Sequence, residues 1–220
     1  MSNLIYILVA LVGFILPFFS YIIINKKFKI ISLSSLFYSY IFFLIGFFIF
    51  AKIFYIILEL DINSLKLFFV SNNLIDRLQF IFFGYSFIGG YIGGIFLIFI
   101  FSKITKEDLK NLLVIYLHIL IMMYGILKIA CFINNCCTSY FNFPVQLLES
   151  IISIYIFFHI LKQLNKLDKN KIIANCFIYF GFLRFLISII RNHNNYFSFV
   201  FVELFCLFLI IVGYRCKNLK

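Results

Sequence analysis

The sequence predicts an all-α polytopic membrane protein whose seven transmembrane helices form a single integral membrane domain over residues 1–220. Three observations support this prediction: 65% of the residues are hydrophobic, only 12% are charged, and the mean hydropathy is +1.11. A water-soluble chain of this length does not have such a composition. The apolar runs recur from one end of the chain to the other, which leaves no segment for a separate soluble domain.

Seven apolar runs mark the predicted helices, at residues 4–24, 31–57, 78–101, 111–133, 144–161, 172–190 and 196–214. Each run is close to the ~20 residues that an α-helix needs to cross ~30 Å of hydrocarbon. No segment alternates like a barrel strand, so helices are the expected way to satisfy the backbone in lipid. The first run lacks a basic leader and a small-residue cleavage site, which indicates a membrane helix and not a removable signal peptide.

The connecting loops alternate between basic and nearly neutral. Four segments hold 13 of the 19 Lys and Arg residues, namely 25–29, 102–110, 162–171 and 214–220. Basic loops stay in the cytoplasm, so the N-terminus is expected outside and the C-terminus in the cytoplasm. Because the net charge of +11 is spread over short loops and not gathered on one face, we expect no nucleic-acid partner.

The segment 60–74 is too polar to cross the membrane. A short amphipathic helix on the outer surface and an ordinary loop are both consistent with it. The six cysteines show no CxxC spacing, and the sequence contains no HExxH, P-loop or dinucleotide signature. We therefore expect neither a metal site nor a cofactor.

Polar side chains fall inside four of the predicted helices, where charge is costly. Helical spacing puts most of them in the outer third of the bilayer, with the last arginine of the sixth helix at its rim. The set comprises Lys128 in the fourth helix, Gln146 and Glu149 in the fifth, Arg184 and Arg191 in the sixth and Glu203 in the seventh.

Two interpretations of this convergence remain open. The charges form a salt-bridge network that holds helices together, or they line a polar cavity open to the outer leaflet. The second interpretation favours an anionic phospholipid head group as partner, because arginine offers a bidentate fork to phosphate. Arg184 is one of only four arginines in a lysine-rich chain, which indicates that a guanidinium is specifically needed there.

Paired glycines occur at the start of the third helix, where Gly89 precedes Gly93 and Gly90 precedes Gly94. This small-xxx-small spacing predicts close helix packing. A close approach of the backbone to a ligand is the alternative. His118 and His159 lie toward the cytoplasmic ends of their helices and are predicted to form hydrogen bonds between helices, whereas His193 lies in an outer loop.

Four segments resemble motifs of the prolipoprotein diacylglyceryl transferase family, in order and spacing. "SFIGGYIGG" resembles its His-Gly-Gly-x-x-Gly-Gly motif, and "LKIACFINNCC" resembles Arg-x-Gly-Asn-Phe-x-Asn-Gly. "FPVQLLE" resembles His-Pro-x-Gln-Leu-Tyr-Glu, and "YFGFLRFLISIIR" resembles Tyr-Gly-x-x-Arg-Phe-x-x-Glu-x-x-Arg. The paired cysteines in "NNCC" are similar to those of a divergent branch of the family.

Several positions depart from the family's motifs. Ile88 stands where the first motif has its histidine, and Lys128 stands where the second has its arginine. Ser188 replaces the glutamate that follows the arginine of the sixth helix. Cys136 and Cys137 are interpreted as surrogate nucleophiles, a disulfide or inert residues, and the sequence favours none of the three.

The resemblance implies a transferase in lipoprotein biosynthesis. The thiolate of a lipoprotein-precursor cysteine attacks the glyceryl carbon of phosphatidylglycerol, and glycerol phosphate leaves, at the outer face of the bacterial plasma membrane. The catalytic residues implied are Arg184, Lys128 and Glu149. The substrate-binding residues implied are Gln146, Asn134, Gly89, Gly90 and Arg191.

A catalytically impaired relative that binds phospholipid or a partner membrane protein is the alternative. Arg184 and Gln146 favour the enzyme, whereas Ile88 and Lys128 favour the alternative. A transporter is a third interpretation with less support, because the chain shows no paired repeat or broken-helix pattern.

Overall fold

The computed structural model describes residues 2–28, 30–59, 85–134, 143–164, 166, 168–191 and 196–218. These residues form seven helices: α1 Ser2–Phe28, α2 Leu33–Glu59, α3 Phe87–Thr105, α4 Leu109–Ile133, α5 Val145–Gln163, α6 Lys169–Ile190 and α7 Tyr196–Asn218. All seven are long and apolar enough to cross a membrane. The predicted all-α, seven-span fold is thus confirmed, and the orientation of the termini stays a prediction.

The largest boundary difference is in α3, which begins at Phe87 and not at residue 78 as predicted. The backbone N–H of Ser86 donates to the carbonyl of Ala51 in α2 at 2.9 Å, so the chain before Phe87 bonds to a neighbouring helix. Residues 78–84 lie outside the described part. So do the segment 60–74, the paired cysteines Cys136 and Cys137, and His193.

The chain divides into two compact units. One consists of Met1–Leu36 and Lys106–Lys220, and the other of Phe37–Thr105. The first unit therefore holds α1 and α4 to α7, and the second holds most of α2 and all of α3. The prediction of one domain over residues 1–220 stays a prediction.

The first unit is built around α4, which packs against α1, α5 and α6, while α7 packs against α6. Every residue of α4 from Val114 to Ile126 is buried. A helix that is apolar on all sides belongs in the interior of a bundle, and α4 has this character. Polar side chains near its C-terminal end consequently project into protein and not into lipid.

The histidines of the first unit differ from one another. His118 Nε2 lies 2.7 Å from the carbonyl of Phe157, so its predicted hydrogen bond between helices, from α4 to α5, is confirmed. His159 instead bonds Gln163 of its own helix at 2.8 Å. Gln163 then accepts a hydrogen bond from Asn175 of α6, so this link between helices runs through the glutamine.

The second unit depends on the glycines of α3, which allow α2 to approach closely. A Cβ atom at Gly90 would lie 2.5 Å from Cε2 of Phe47. One at Gly93 would collide with the carbonyl oxygen of Gly46, and one at Gly89 with the carbonyl oxygen of Phe50. The predicted close helix packing is therefore present, and a role for Gly89 and Gly90 in substrate binding stays a prediction.

Gly93→Ala should destabilise the protein by about 1–3 kcal/mol, because the new methyl group meets backbone of α2 that cannot rotate away. Gly13→Ala is the matched control, since a Cβ at Gly13 would meet the flexible Leu127 side chain at 3.3 Å. Alanine also has the higher helix propensity, so the Gly13 variant should melt at or above the parent temperature. Thermal unfolding in detergent measures both variants, and an equal shift in the two would contradict this packing.

Candidate functional site

A buried carboxylate in the first unit binds two cations. Glu149 Oε2 lies 2.7 Å from Lys128 Nζ, and Glu149 Oε1 accepts a hydrogen bond from Arg184 Nη1 at 2.9 Å. The exposed fractions are only 7% for Lys128, 1% for Glu149 and 8% for Arg184. Ion pairs that are this well shielded from water interact far more strongly than surface pairs. We call Lys128, Glu149, Arg184 and the neighbouring Tyr124 the cation cluster.

Tyr124 completes the cation cluster. Its hydroxyl accepts a hydrogen bond from Arg184 Nη1 at 2.6 Å and donates one to Glu149 Oε1. Its ring faces both cations, with Lys128 Nζ at 5.2 Å and the Arg184 guanidinium carbon at 5.3 Å from the ring centre. Such cation–π contacts gain strength where water is excluded.

Three helices bring this cluster together. α4 supplies Tyr124 and Lys128, one turn apart and hence on one face. α5 begins directly after Pro144, which places Glu149 about 6 Å from the start of the helix. Arg184 lies about 9 Å from the C-terminal end of α6. The common level of these side chains follows from their positions along each helix. Their contacts also require α4, α5 and α6 to pack against one another, and the three helices do so.

The charge of the cluster favours an anion. Two cations and one carboxylate give a net charge of +1 in a site that is almost closed to water. Both oxygens of Glu149 have polar partners, whereas Arg184 uses only Nη1 for its hydrogen bonds. Within the described part of the chain, no acceptor bonds Nε or Nη2 of Arg184. The guanidinium can therefore bind Glu149 and still offer donors to a second anionic group.

The remaining candidates in this unit lie closer to the helix ends than the cluster or beside it. Gln146 is buried one turn before Glu149. Asn134 caps the end of α4, with its N–H bonded to the carbonyl of Ala130. Arg191 is the C-terminal cap of α6 and lies within electrostatic range of Tyr124. Glu203 pairs with neither cation of the cluster within the described residues.

Two carboxylates, Glu149 and Glu203, lie at the depth predicted for Arg184, and the structure identifies Glu149 as its partner. It also identifies Tyr124, which the analysis of the sequence did not single out. The spacing gave one indication of this contact, because Tyr124 lies four residues before the intramembrane Lys128 and so lies on the same face of the helix. In a chain with 14 tyrosines and 34 phenylalanines, however, one aromatic residue carries little information.

The fold and the cation cluster define the protein as a multi-pass helical membrane protein with a buried, positively charged site near one end of its helices. The sequence profile of the prolipoprotein diacylglyceryl transferase family matches residues 4–216, nearly the whole chain. The chain belongs to the prolipoprotein diacylglyceryl transferase family. This membership supports a transferase function in lipoprotein biosynthesis, with lipid and lipoprotein substrates. None of the curated proteins matches the chain.

Tyr124→Phe should destabilise the protein by about 1–3 kcal/mol, because Arg184 and Glu149 lose one buried hydrogen bond each while the ring is kept. Tyr214→Phe makes the same chemical change at a side chain that is 57% exposed, and it should leave the melting temperature unchanged. Thermal unfolding of the purified proteins compares the two. A Tyr124 variant that melts like the Tyr214 variant would show that the hydroxyl contributes nothing to the cluster.

Proposed function

We propose that the protein transfers the diacylglyceryl group of phosphatidylglycerol to the cysteine of a lipoprotein precursor, at the outer face of the bacterial plasma membrane. The observation that carries this proposal is the buried cluster of net charge +1, in which Arg184 has donors that no described residue uses. A phosphodiester is an anion that fits such a site, because arginine binds phosphate through parallel hydrogen bonds.

The proposed reaction is a displacement at carbon. The cysteine sulfur forms a bond to the glyceryl carbon, and the bond between that carbon and the phosphate oxygen breaks. The electron pair leaves with glycerol phosphate, and the proton of the thiol passes to a base. The phosphodiester carries one negative charge and the departing monoester carries two, so negative charge grows on the phosphate as the reaction proceeds.

Arg184 and Lys128 act on this growing charge. Cations that are fixed in place before the reaction stabilise the leaving group more than the bound lipid, and this difference lowers the barrier. Glu149 holds both side chains in place through its two oxygens. Lysine is a point charge without the planar fork of arginine, so Arg184 takes the main role and Lys128 assists.

The polar side chains outward of the cluster are assigned to the head group. Gln146 and Asn134 orient its hydroxyl groups, and Arg191 attracts the anion at the membrane surface. A role for Gly89 and Gly90 in binding the lipid, which the resemblance implies, stays part of the proposal. The lipoprotein precursor reaches the site from the same side, because the loops 134–143 and 191–195 are predicted to lie outside the cell.

The predicted orientation has a direct test. A membrane-impermeant thiol reagent should label a cysteine introduced at Asn192 in intact cells and should not label the native Cys216. The reason is that Cys216 lies in the basic C-terminal segment, which the positive-inside rule retains in the cytoplasm. Labelling of Cys216 alone would reverse the topology and would move the cluster to the cytoplasmic half of the bilayer.

Turnover is tested with the purified protein, phosphatidylglycerol labelled in its acyl chains, and a peptide that carries the precursor cysteine. We expect the label on the peptide as a thioether, with release of glycerol phosphate. A peptide with serine in place of the cysteine is the control and should remain unlabelled. Lipid binding without any labelled peptide would contradict the proposal.

A phospholipid-binding protein without turnover is the second candidate. It is favoured by Ile88, a buried apolar side chain at the position where the resembled motif has a histidine. The cation cluster would then hold an anionic head group without reacting. The same assay separates the two candidates, because binding of the lipid is measured independently of the labelling of the peptide.

A further inference from the structure

The proposed displacement needs an acceptor for the proton of the cysteine thiol, and Glu149 is poorly placed for that task. Its Oε2 is paired with Lys128, and its Oε1 accepts from Tyr124 and from Arg184. A carboxylate whose two oxygens are held by two cations and a hydroxyl is stabilised in its charged form. Another base is therefore required.

Among the described residues of the first unit, Glu203 in α7 is the other carboxylate that lies within a helix. Both of its oxygens are buried, and neither has a hydrogen-bond partner in the described part of the chain. Burial of a carboxylate without a partner is expensive, and native structures tolerate it where the group serves a purpose. What is missing at Glu203 is a hydrogen-bond donor, and the thiol of an incoming cysteine is one.

The packing of α7 on α6 places Glu203 beside the cation cluster. A Cβ at Gly181 would lie 3.0 Å from the carbonyl oxygen of Cys206, and one at Gly213 would lie 2.9 Å from the carbonyl oxygen of Ala174. In this antiparallel register Gly181 lies opposite Cys206. Arg184 lies three residues further along α6 and Glu203 three residues earlier in α7, so the two lie at nearly the same level on the faces where these helices pack.

Electrostatic contacts agree with this register. The Cys206 thiol interacts with Arg184 of α6 and with Glu203 of its own helix. Among the described residues, Arg184 of α6 and Cys206 of α7 are therefore titratable groups close to this part of the α6–α7 packing. An unpaired carboxylate at the level of the arginine lies where a cysteine entering from the outer surface would meet the lipid bound at the cation cluster.

We propose that Glu203 accepts the proton of the acceptor cysteine. The S–H bond breaks, the proton moves to the Glu203 carboxylate, and the sulfur keeps the electron pair with which it attacks the glyceryl carbon. The proton leaves Glu203 for water after the product departs. This inference rests on the proposed transferase function, and Glu203 acts on the peptide substrate while Arg184 acts on the lipid.

Glu203→Gln removes the proton acceptor and keeps the shape of the side chain. Transfer to the peptide at pH 6.5 should fall about 10²- to 10⁴-fold, the usual contribution of general base catalysis. Binding of phosphatidylglycerol, measured by native mass spectrometry, should stay within about twofold of the wild type, because the cation cluster is intact. Glu107→Gln is the matched control on the other side of the membrane and should keep full activity.

The pH profile distinguishes a base from a structural residue. A free cysteine ionises near pH 8.5, and the thiolate is the nucleophile. The rate of the Glu203→Gln variant should therefore rise about fiftyfold between pH 6.5 and 8.5, as the thiolate fraction does, and faster than the wild-type rate. A structural role would lower the rate by the same factor at every pH and would overturn the inference.

A second variant covers the case in which the glutamine protein does not fold. Glu203→Ala leaves space for a small carboxylate, and added formate should restore part of its rate while leaving the wild type unaffected. Full activity of either variant at pH 6.5 overturns the role of Glu203 and leaves the transferase function standing. A wild-type protein that transfers nothing overturns both.

Discussion

Replacing Arg184 by glutamine should lower the affinity for phosphatidylglycerol roughly a hundredfold or more, and it should abolish transfer. A hydrogen bond to a charged group contributes about 1.5–3 kcal/mol, and two such bonds to one phosphate are proposed here. The loss should fall mainly on anionic lipid. Zwitterionic phosphatidylethanolamine should lose much less, since its own ammonium partly balances the phosphate charge. Native mass spectrometry with both lipids measures the two losses side by side.

Two further variants make the Arg184 experiment specific. Arg184→Lys keeps the charge without the fork, so it should recover part of the binding and little of the turnover. Arg215→Gln removes an arginine that is exposed near the end of α7, and it should bind both lipids like the wild type. An Arg184→Gln protein that loses both lipids equally, or neither, would show that Arg184 is only part of a structural ion pair.

Replacing Glu149 by glutamine should have the largest effect on stability, a loss of about 3–5 kcal/mol. The substitution removes the counter-charge of Lys128 and Arg184 while both cations stay buried, at 7% and 8% exposure. For a chain of this length, the melting temperature should fall by roughly 10 °C. Thermal unfolding of the purified protein in detergent is the measurement.

The same variant reports on the anion site. A lipid phosphate would supply the negative charge that Glu149→Gln lacks, so phosphatidylglycerol should raise the melting temperature of this variant more than that of the wild type. The double variant Lys128→Met with Glu149→Gln removes one of the two unpaired cations and should recover about half of the lost stability. A Glu149→Gln protein that melts like the wild type would contradict the central place of this carboxylate.

The sequence predicted that the charged side chains lie at one common level, and their contacts confirm this. Depth depends on position along a helix, because each residue adds 1.5 Å and the apolar runs fix where each span begins and ends. Lys128, Glu149 and Arg184 could therefore be assigned to one level before any contact was known. These three side chains could be identified because each is charged and lies in an otherwise apolar span, where charge is costly and rare.

The contacts within that level could not be predicted. Glu149 and Glu203 were equivalent partners for Arg184 on grounds of depth, and only the packing of α4, α5 and α6 decided for Glu149. The same packing brings the Tyr124 hydroxyl into hydrogen-bond contact with Arg184. α4 is apolar all round, so its sequence has no polar stripe that would indicate which neighbour each face meets.

By itself, therefore, the sequence determined the all-helical class, the seven spans, the resemblance to a family and the level at which the polar side chains lie. The tertiary structure decided which of those side chains touch: it gave Glu149 both cations and left Glu203 without a partner among the described residues. The physical reason is that hydropathy and helical rise act along the chain, whereas ion pairs depend on the rotation and neighbours of each helix. The rotation and the neighbours of each helix are set by close packing across the bundle, at positions such as Gly181 and Gly213. The sequence pattern did not identify these two glycines as packing positions.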